Sequence, residues 1–152
     1  MNTSEEVVST TARAWAPSMT LEEYGAFLNQ LLEAERAGAK LLSAYLDELP
    51  KDSFKWKSIR AVQLDEARNC AVLIHLLLEA EATPSSAVGD FYGGGLAIRG
   101  WRERLLFLNR GQAWVAKRIA AALPRVPEKP RAALQEMYDS HVVNIGNCKA
   151  LL

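Results

Sequence analysis

Four long stretches of the chain carry apolar residues at alternating spacings of three and four. This is the period of a helix that is buried along one side. We call the row of residues on the buried side of each helix its seam. In the first stretch this apolar series is interrupted by one carboxylate, Glu35. The first seam consists of Tyr24, Leu28, Leu31, Glu35, Gly38, Leu42 and Tyr45. A helix that packs through this seam places Glu35 in a core, where a carboxylate requires a proton, a partner or a metal ion.

The other three stretches also have polar residues near the middle of their seams. Glu66 and Asn69 interrupt the second seam, Gln112 the third, and His141 and Asn144 the fourth. The polar positions recur at a similar separation within each pair of stretches, so the chain reads as two similar helical hairpins. We therefore expect these side chains to meet the first carboxylate at one level of a helical domain.

Start and stop signals set the bounds of the predicted helices. Thr20 and Glu23 form a capping-box pattern, and Pro50 ends the first helix. The four predicted helices cover approximately residues 21–49, 56–82, 96–123 and 131–151. Four long amphipathic helices and no strand-like alternation predict an all-α domain, a four-helix bundle over residues 20–152 that follows an N-terminal arm, residues 1–19.

Two chemical interpretations of the polar layer are open. Glu35, Glu66 and His141 together offer ligands that suit a single Fe, Mn or Zn ion and leave coordination positions free. The layer can instead contain no metal, with one glutamate protonated and with the amides and the imidazole as hydrogen-bond partners. The residues alone do not decide between one divalent ion and none, and they identify no catalytic residue.

The layer resembles the metal site of the ferritin-like family. In that family two helices each supply a glutamate, and two others each supply a Glu-x-x-His pair, so that two metal ions are bound. On this resemblance Glu35 and Glu66 correspond to the family's glutamates, whereas Asn69 stands in place of a histidine and Gln112 in place of a glutamate. The segments FLNRGQAWV and MYDSHVVNIGNC are also similar to those of uncharacterised bacterial ferritin-like proteins.

The resemblance also assigns roles on the fourth helix. His141 corresponds to the family's histidine, either with Tyr138 in place of its glutamate or with the pair shifted by one helical turn. The implied ligands of a single metal ion are Glu35, Glu66 and His141, supported by Asn69, Gln112, Tyr138 and Asn144. The implied function is a reduced metal site that acts in oxidative or metal stress. The alternative is a metal-free, non-catalytic bundle with a structural or partner-binding role.

The resemblance further implies a long connection between the second and third helices. Ferritin-like bundles join their hairpins by a crossover that runs the length of the bundle. Here residues 83–95 could span about 43 Å, slightly more than the bundle height of about 40 Å. A crossover makes the second and fourth helices antiparallel and places Cys70 and Cys148 on opposite sides of the polar layer. We therefore expect two free thiols.

Charge and hydropathy restrict the partners and the location. The 18 basic and 18 acidic residues give no net charge, which argues against nucleic acid. No apolar run has the length of a signal peptide or of a membrane span, which predicts a cytoplasmic protein without membrane contact. The arginines of the third helix, Arg104 among them, alternate with acids and apolar residues and are predicted to be surface residues that form salt bridges.

The segment AVLIHLLL in the second helix is apolar on every side. Such a helix requires cover beyond its own bundle. We expect a homodimer, in which the band formed by Val72, His75, Leu78 and Glu79 is covered by a second subunit or by the N-terminal arm.

Overall fold

A computed structural model of the protein describes residues 18–152, and over this range the chain is all-α, with no β-strand. The α-helices are α1 (Leu21–Leu46), α2 (Phe54–Glu79), α3 (Phe91–Leu96), α4 (Trp101–Ala122) and α5 (Arg131–Lys149), and a 3₁₀ helix covers Leu123–Arg125. The all-α prediction is confirmed. The predicted N-terminal arm lies almost entirely outside the described residues. Within them, no helix combines the length and the apolar character that a membrane span requires.

Local capping chemistry explains where the helices begin. The Thr20 hydroxyl accepts a hydrogen bond from the Glu23 N–H at 3.1 Å, and the Thr20 N–H donates to the Glu23 carboxylate at 3.1 Å. This is the predicted capping box. At the start of α2 the Ser53 hydroxyl accepts from the Trp56 N–H, so the helix begins earlier than the sequence indicated.

The prediction of a single third helix over 96–123 is wrong at its start. The chain forms the short helix α3 before this point, leaves helical geometry after Leu96, and begins α4 at Trp101. Gly100, in extended conformation, occupies the N-cap position of α4. The glycine-rich segment, residues 93–95, is therefore helical, and the interruption between the two helices follows it, at residues 97–100.

The core formed by residues 18–152 consists of two apolar clusters, one on either side of the polar layer. The first apolar cluster includes Leu28, Leu31, Leu73, Leu77, Ile119 and Leu134, and the second includes Leu41, Leu42, Tyr45, Ile59, Leu105 and Cys148. Burial of each large side chain contributes about 1.5–3 kcal/mol. On α1, Glu35 follows the residues of the first cluster and precedes those of the second, so it lies at the boundary between them.

The connection from α2 to α4 runs along α1. The Ser85 N–H donates to Asn29 Oδ1 at 2.7 Å, and Arg36 Nη1 donates to the Ser85 carbonyl at 2.9 Å. Further along, the Tyr45 hydroxyl donates to the Gly95 carbonyl at 2.7 Å. Asn29 and Tyr45 lie about 24 Å apart on α1 at 1.5 Å per residue, so the connection travels along most of the helix, as the predicted crossover requires.

The helices α2 and α5 run antiparallel, because Asp65 contacts Asn144 whereas Val72, later on α2, lies near Ala133, earlier on α5. The two cysteines are consequently separated. Cys70 packs against the first apolar cluster and Cys148 belongs to the second. Both are free thiols, as expected. Burial raises the pKa of Cys70 to about 12 and that of Cys148 to about 11.

The expectation of a surface position for Arg104 is wrong. Arg104 is only 6% exposed and forms an ion pair with Glu48, and its Nε donates to the Ile98 carbonyl at 2.8 Å. Its guanidinium also lies 4.5 Å from the ring centroid of Tyr45 and 4.8 Å from that of Trp101. The aromatic rings and the carboxylate replace water around the charge, which permits its burial.

The band on α2 lies at the surface of the described chain. His75 is exposed and its Nε2 lies 3.0 Å from a Glu79 carboxylate oxygen, while Leu78 is 60% exposed and Val72 is half-buried. Cover by a second subunit or by the arm remains a prediction.

Candidate functional site

His141 and Glu35 form the centre of the polar layer. His141 Nε2 contacts Glu35 Oε1 directly, and both side chains are almost completely buried. On the other side of the ring, His141 Nδ1 lies 3.3 Å from Gln112 Oε1. An amide oxygen only accepts hydrogen bonds, so this contact requires a proton on Nδ1. Three of the predicted residues, from α1, α4 and α5, therefore meet as expected.

Glu66 reaches the same layer from α2 and is also buried. Burial first, and then the charges of Glu35 and Asp65, raise the pKa of Glu66 well above its ordinary value. Burial and the neighbouring negative charges therefore favour the protonated form of the Glu66 carboxyl. Its room comes from Gly38 on α1, because a Cβ at that position would lie 2.8 Å from Glu66 Cδ.

Several buried polar atoms of the layer have no hydrogen-bond partner in the described part of the chain. These atoms are Glu35 Oε2, Glu66 Oε2, Asn69 Nδ2 and Gln112 Nε2. Each buried polar atom left unpaired costs about 1–3 kcal/mol. Such a cluster of unpaired donors and acceptors is typical of a site that receives a ligand.

The two remaining predicted supporting residues take other positions. The Asn144 side chain donates to Asp65 Oδ2 at 3.1 Å, and the Ser140 hydroxyl donates to the same oxygen at 3.1 Å. Tyr138 is half-buried and packs against the first apolar cluster. Asp65 was not among the residues predicted for the site, although it lies directly before Glu66 and its carboxylate joins α2 to α5.

A cavity of about 530 Å³ leads from the surface to this layer between α1, α3 and α4. Its floor contains Glu35, Glu66 and Gln112, each with an unpaired atom. Its walls are largely apolar and include Ala34, Phe91, Phe107, Trp114 and Val115, and its rim includes Gln30, Glu33, Asp90 and Arg110. The cavity therefore extends inward to three of the residues that carry unpaired buried polar atoms.

The short helix α3 forms one wall of this cavity. The Phe91 ring stacks on Phe107 with a centroid distance of 4.3 Å and an interplanar angle of 10°. A Cβ on Gly111 would lie 2.5 Å from the Phe91 ring, so this position on α4 has no room for a side chain. Neither α3 nor the cavity was predicted from the sequence. In the sequence, only Gly111, within the segment NRGQ, indicates that another residue packs closely against α4 at this position.

The predicted metal ligands are Glu35, Glu66 and His141, and their positions bear on whether they could bind one ion. Glu35 and His141 lie side by side, and a carboxylate oxygen of Glu35 and one of Glu66 are unpaired. Over residues 18–152, however, no group of three or more His, Cys, Asp or Glu side chains is arranged to hold a metal ion. Binding of a metal by Glu35, Glu66 and His141 therefore remains a prediction.

Residues 22–150 match one family model, described as a domain of unknown function (DUF6306). Comparison with curated proteins and with solved structures gave no match. The family match extends from the start of α1 to the end of α5 and includes every residue of the polar layer. Because it covers most of the chain, the protein belongs to the DUF6306 family.

Proposed function

We propose that this protein is a ligand-binding four-helix bundle of ferritin-like type, in which the polar layer is the binding site and the cavity is its entrance. The observation that carries the proposal is that Glu35 Oε2, Glu66 Oε2 and Gln112 Nε2 are unpaired and belong to residues that line the cavity. A bound ligand would offset the free energy lost by burying these atoms.

Three features support the ferritin-like assignment. The four long helices α1, α2, α4 and α5 enclose the polar layer, and the crossover runs along α1. Glutamates from α1 and α2 and a histidine from α5 are at the middle of their helices, where a ferritin-like bundle holds its ligands.

A single divalent metal ion is one candidate ligand. Glu35, Glu66 and His141 would hold it, and its charge would compensate the two buried carboxylates, whose mutual repulsion contributes to the raised pKa of Glu66. When bound, an Fe, Mn or Zn ion would supply a Lewis acid or a redox centre, which suits a role in oxidative or metal stress. Glu35 and His141 would position it, while the apolar walls would limit water at the site.

A layer without metal is the second candidate state, with a non-catalytic role in binding a small molecule or a partner. It is favoured by the raised pKa of Glu66, because burial and the charge of Glu35 make the neutral form of this carboxyl more stable. In this state the layer is stable without a cation, and the cavity remains open to an organic ligand.

Thermal melts of a cavity-filling variant test the proposal. Ala34 lines the cavity, so Ala34→Phe fills it, whereas Ala26→Phe adds the same ring at an exposed position of α1. We expect a small organic molecule to raise the Tm of the wild type and of Ala26→Phe, but not that of Ala34→Phe, whereas a divalent ion held by Glu35, Glu66 and His141 should raise the Tm of all three proteins. Equal shifts of all three proteins with an organic molecule would refute binding in the cavity.

A further inference from the structure

We propose that the ligand of the cavity is an organic ammonium ion, a protonated amine attached to an aromatic or aliphatic body. This inference rests on the proposed function, because it names the class of ligand that the same site would bind. It follows from the floor, the walls and the charge of the cavity.

The floor offers hydrogen-bond acceptors to a donor. Glu35 and Glu66 are 1% and 6% exposed, and each has an unpaired carboxyl oxygen. An ammonium group has three N–H donors and no acceptor, so it can donate to both oxygens. A carboxylate or phosphate ligand would instead bring its charge against these two acids. Gln112 Nε2 is an unpaired donor, which a hydroxyl or ether oxygen on the ligand would satisfy.

The walls are suited to an apolar body. Phe91, Phe107 and Trp114 present aromatic rings to the cavity, and Ala34 and Val115 add aliphatic surface. A volume of about 530 Å³ exceeds what an inorganic ion needs and falls in the range of small-molecule pockets. Aromatic rings also attract cations through their faces, which favours an ammonium over a neutral polar group.

The charge of the described lining residues selects for a cation. The acids that line the cavity are Glu33, Glu35, Glu66 and Asp90, and the base is Arg110. Arg110 lies over the Phe107 ring, 5.7 Å from its centroid, on the rim rather than on the floor. Among the charged lining residues that are not buried, Glu33 and Asp90 exceed Arg110 by one negative charge.

A metal ion is the main rival on the same floor. It would use the carboxylates but would leave the aromatic walls without a function, whereas an ammonium ligand uses both. The two ligands are separable by experiment, because a metal ion has no need of the wall space that Ala34→Phe removes.

Titration calorimetry with matched probes tests the inference. The probes are three primary ammonium ions with n-propyl, 2-phenylethyl and 1-naphthylmethyl bodies, the corresponding alcohols, the carboxylates of matching length, and Zn²⁺ and Mn²⁺. The proteins are the wild type, Glu66→Gln, Ala34→Phe and a control, Glu136→Gln, on the exposed side of α5. Circular dichroism verifies that each variant is folded.

We expect at least one ammonium probe to bind the wild type and Glu136→Gln at least about tenfold more tightly than its alcohol, with no binding of its carboxylate. Glu66→Gln should weaken binding about tenfold or more, and Ala34→Phe should abolish it. If Glu66→Gln does not fold, the comparison of probes and Ala34→Phe still decide the inference.

Other outcomes overturn the inference in distinguishable ways. Binding of an alcohol or a carboxylate as tight as that of its amine would refute the ammonium class and leave the cavity as a ligand site. Binding of Zn²⁺ or Mn²⁺ alone would refute it in favour of a metal site. Binding of none of the probes would refute both the inference and the proposed function.

Discussion

Gly38 on α1 faces Glu66 on α2 so closely that a Cβ on residue 38 would lie 2.8 Å from Glu66 Cδ. A glycine inside a helix costs about 1 kcal/mol relative to alanine, so its presence in the middle of α1 requires a reason. The reason is space for a buried carboxyl group. The two residues together give the polar layer its position at the floor of the cavity.

Gly38→Ala should therefore destabilise the protein, against the usual helix preference. Displacement of the Glu66 carboxyl should reduce the free energy of unfolding by about 1–3 kcal/mol in urea titrations. The matched control is Gly146→Ala on α5, where no atom of the described chain lies within 4 Å of the added Cβ. That change should stabilise by about 0.5–1 kcal/mol. A stabilising Gly38→Ala would contradict the packing described for Glu66.

Replacing one partner of the Glu35–His141 pair should reduce the free energy of unfolding more than replacing both partners. Glu35→Leu leaves a buried imidazole without its partner, and we expect a loss of about 3 kcal/mol. In the metal-free protein, Glu35→Leu combined with His141→Leu should recover most of that loss, because apolar side chains can replace a buried pair. Urea titrations in the presence of a chelator measure the free energy of unfolding of the single and the double variant. A double variant less stable than Glu35→Leu would contradict the pairing.

The periodicity of the sequence was sufficient to predict the four long helices, except for the start of α4, and the polar layer. Spacings of three and four placed Glu35, Glu66, Gln112 and His141 in buried seams, and all of them are buried. The crossover followed from the resemblance together with the length of the connection. These features depend on residues close in sequence or on the length of a segment, which a single sequence displays.

The cavity could not be predicted in the same way. It depends on the distance between α1 and α4 and on the packing of Phe91 against Gly111, and no periodicity within one helix encodes either. The burial of Arg104 and the contact of Asp65 with Asn144 likewise arise between distant segments. Sequence patterns show which face of a helix is buried, but not which side chains it meets.

The two thiols should be slow to react and should not pair. With pKa values raised to about 12 and about 11, Cys70 and Cys148 should be alkylated at pH 8 about two orders of magnitude more slowly than in urea. The preference of the folded state for protonated thiols contributes stability that is fully present below the unfolded pKa of about 8.5 and is lost as the pH rises through the folded values. Mass spectrometry after mild oxidation checks pairing, and an intramolecular Cys70–Cys148 disulfide would contradict the crossover.

The band on α2 should mediate self-association of the full chain. Leu78 is 60% exposed, and Leu78→Glu should convert a dimer to a monomer in sedimentation experiments by placing a charge in the interface. Leu64→Glu is the control, since Leu64 is 51% exposed on the same helix but lies outside the band. A monomeric wild type, or an equal effect of both variants, would argue against this interface.

The side-chain amide of Gln112 offers the most direct test of the ligand site, because its nitrogen is unpaired and the residue lines the cavity floor. In ¹H–¹⁵N spectra, addition of Zn²⁺ or of the ammonium probes should shift the Gln112 amide signals, while those of the exposed Asn147 remain unchanged. The proposed function predicts a saturable shift in the wild type with at least one of these ligands. Gln112 signals that stay unchanged with every one of them would contradict a ligand site at this layer.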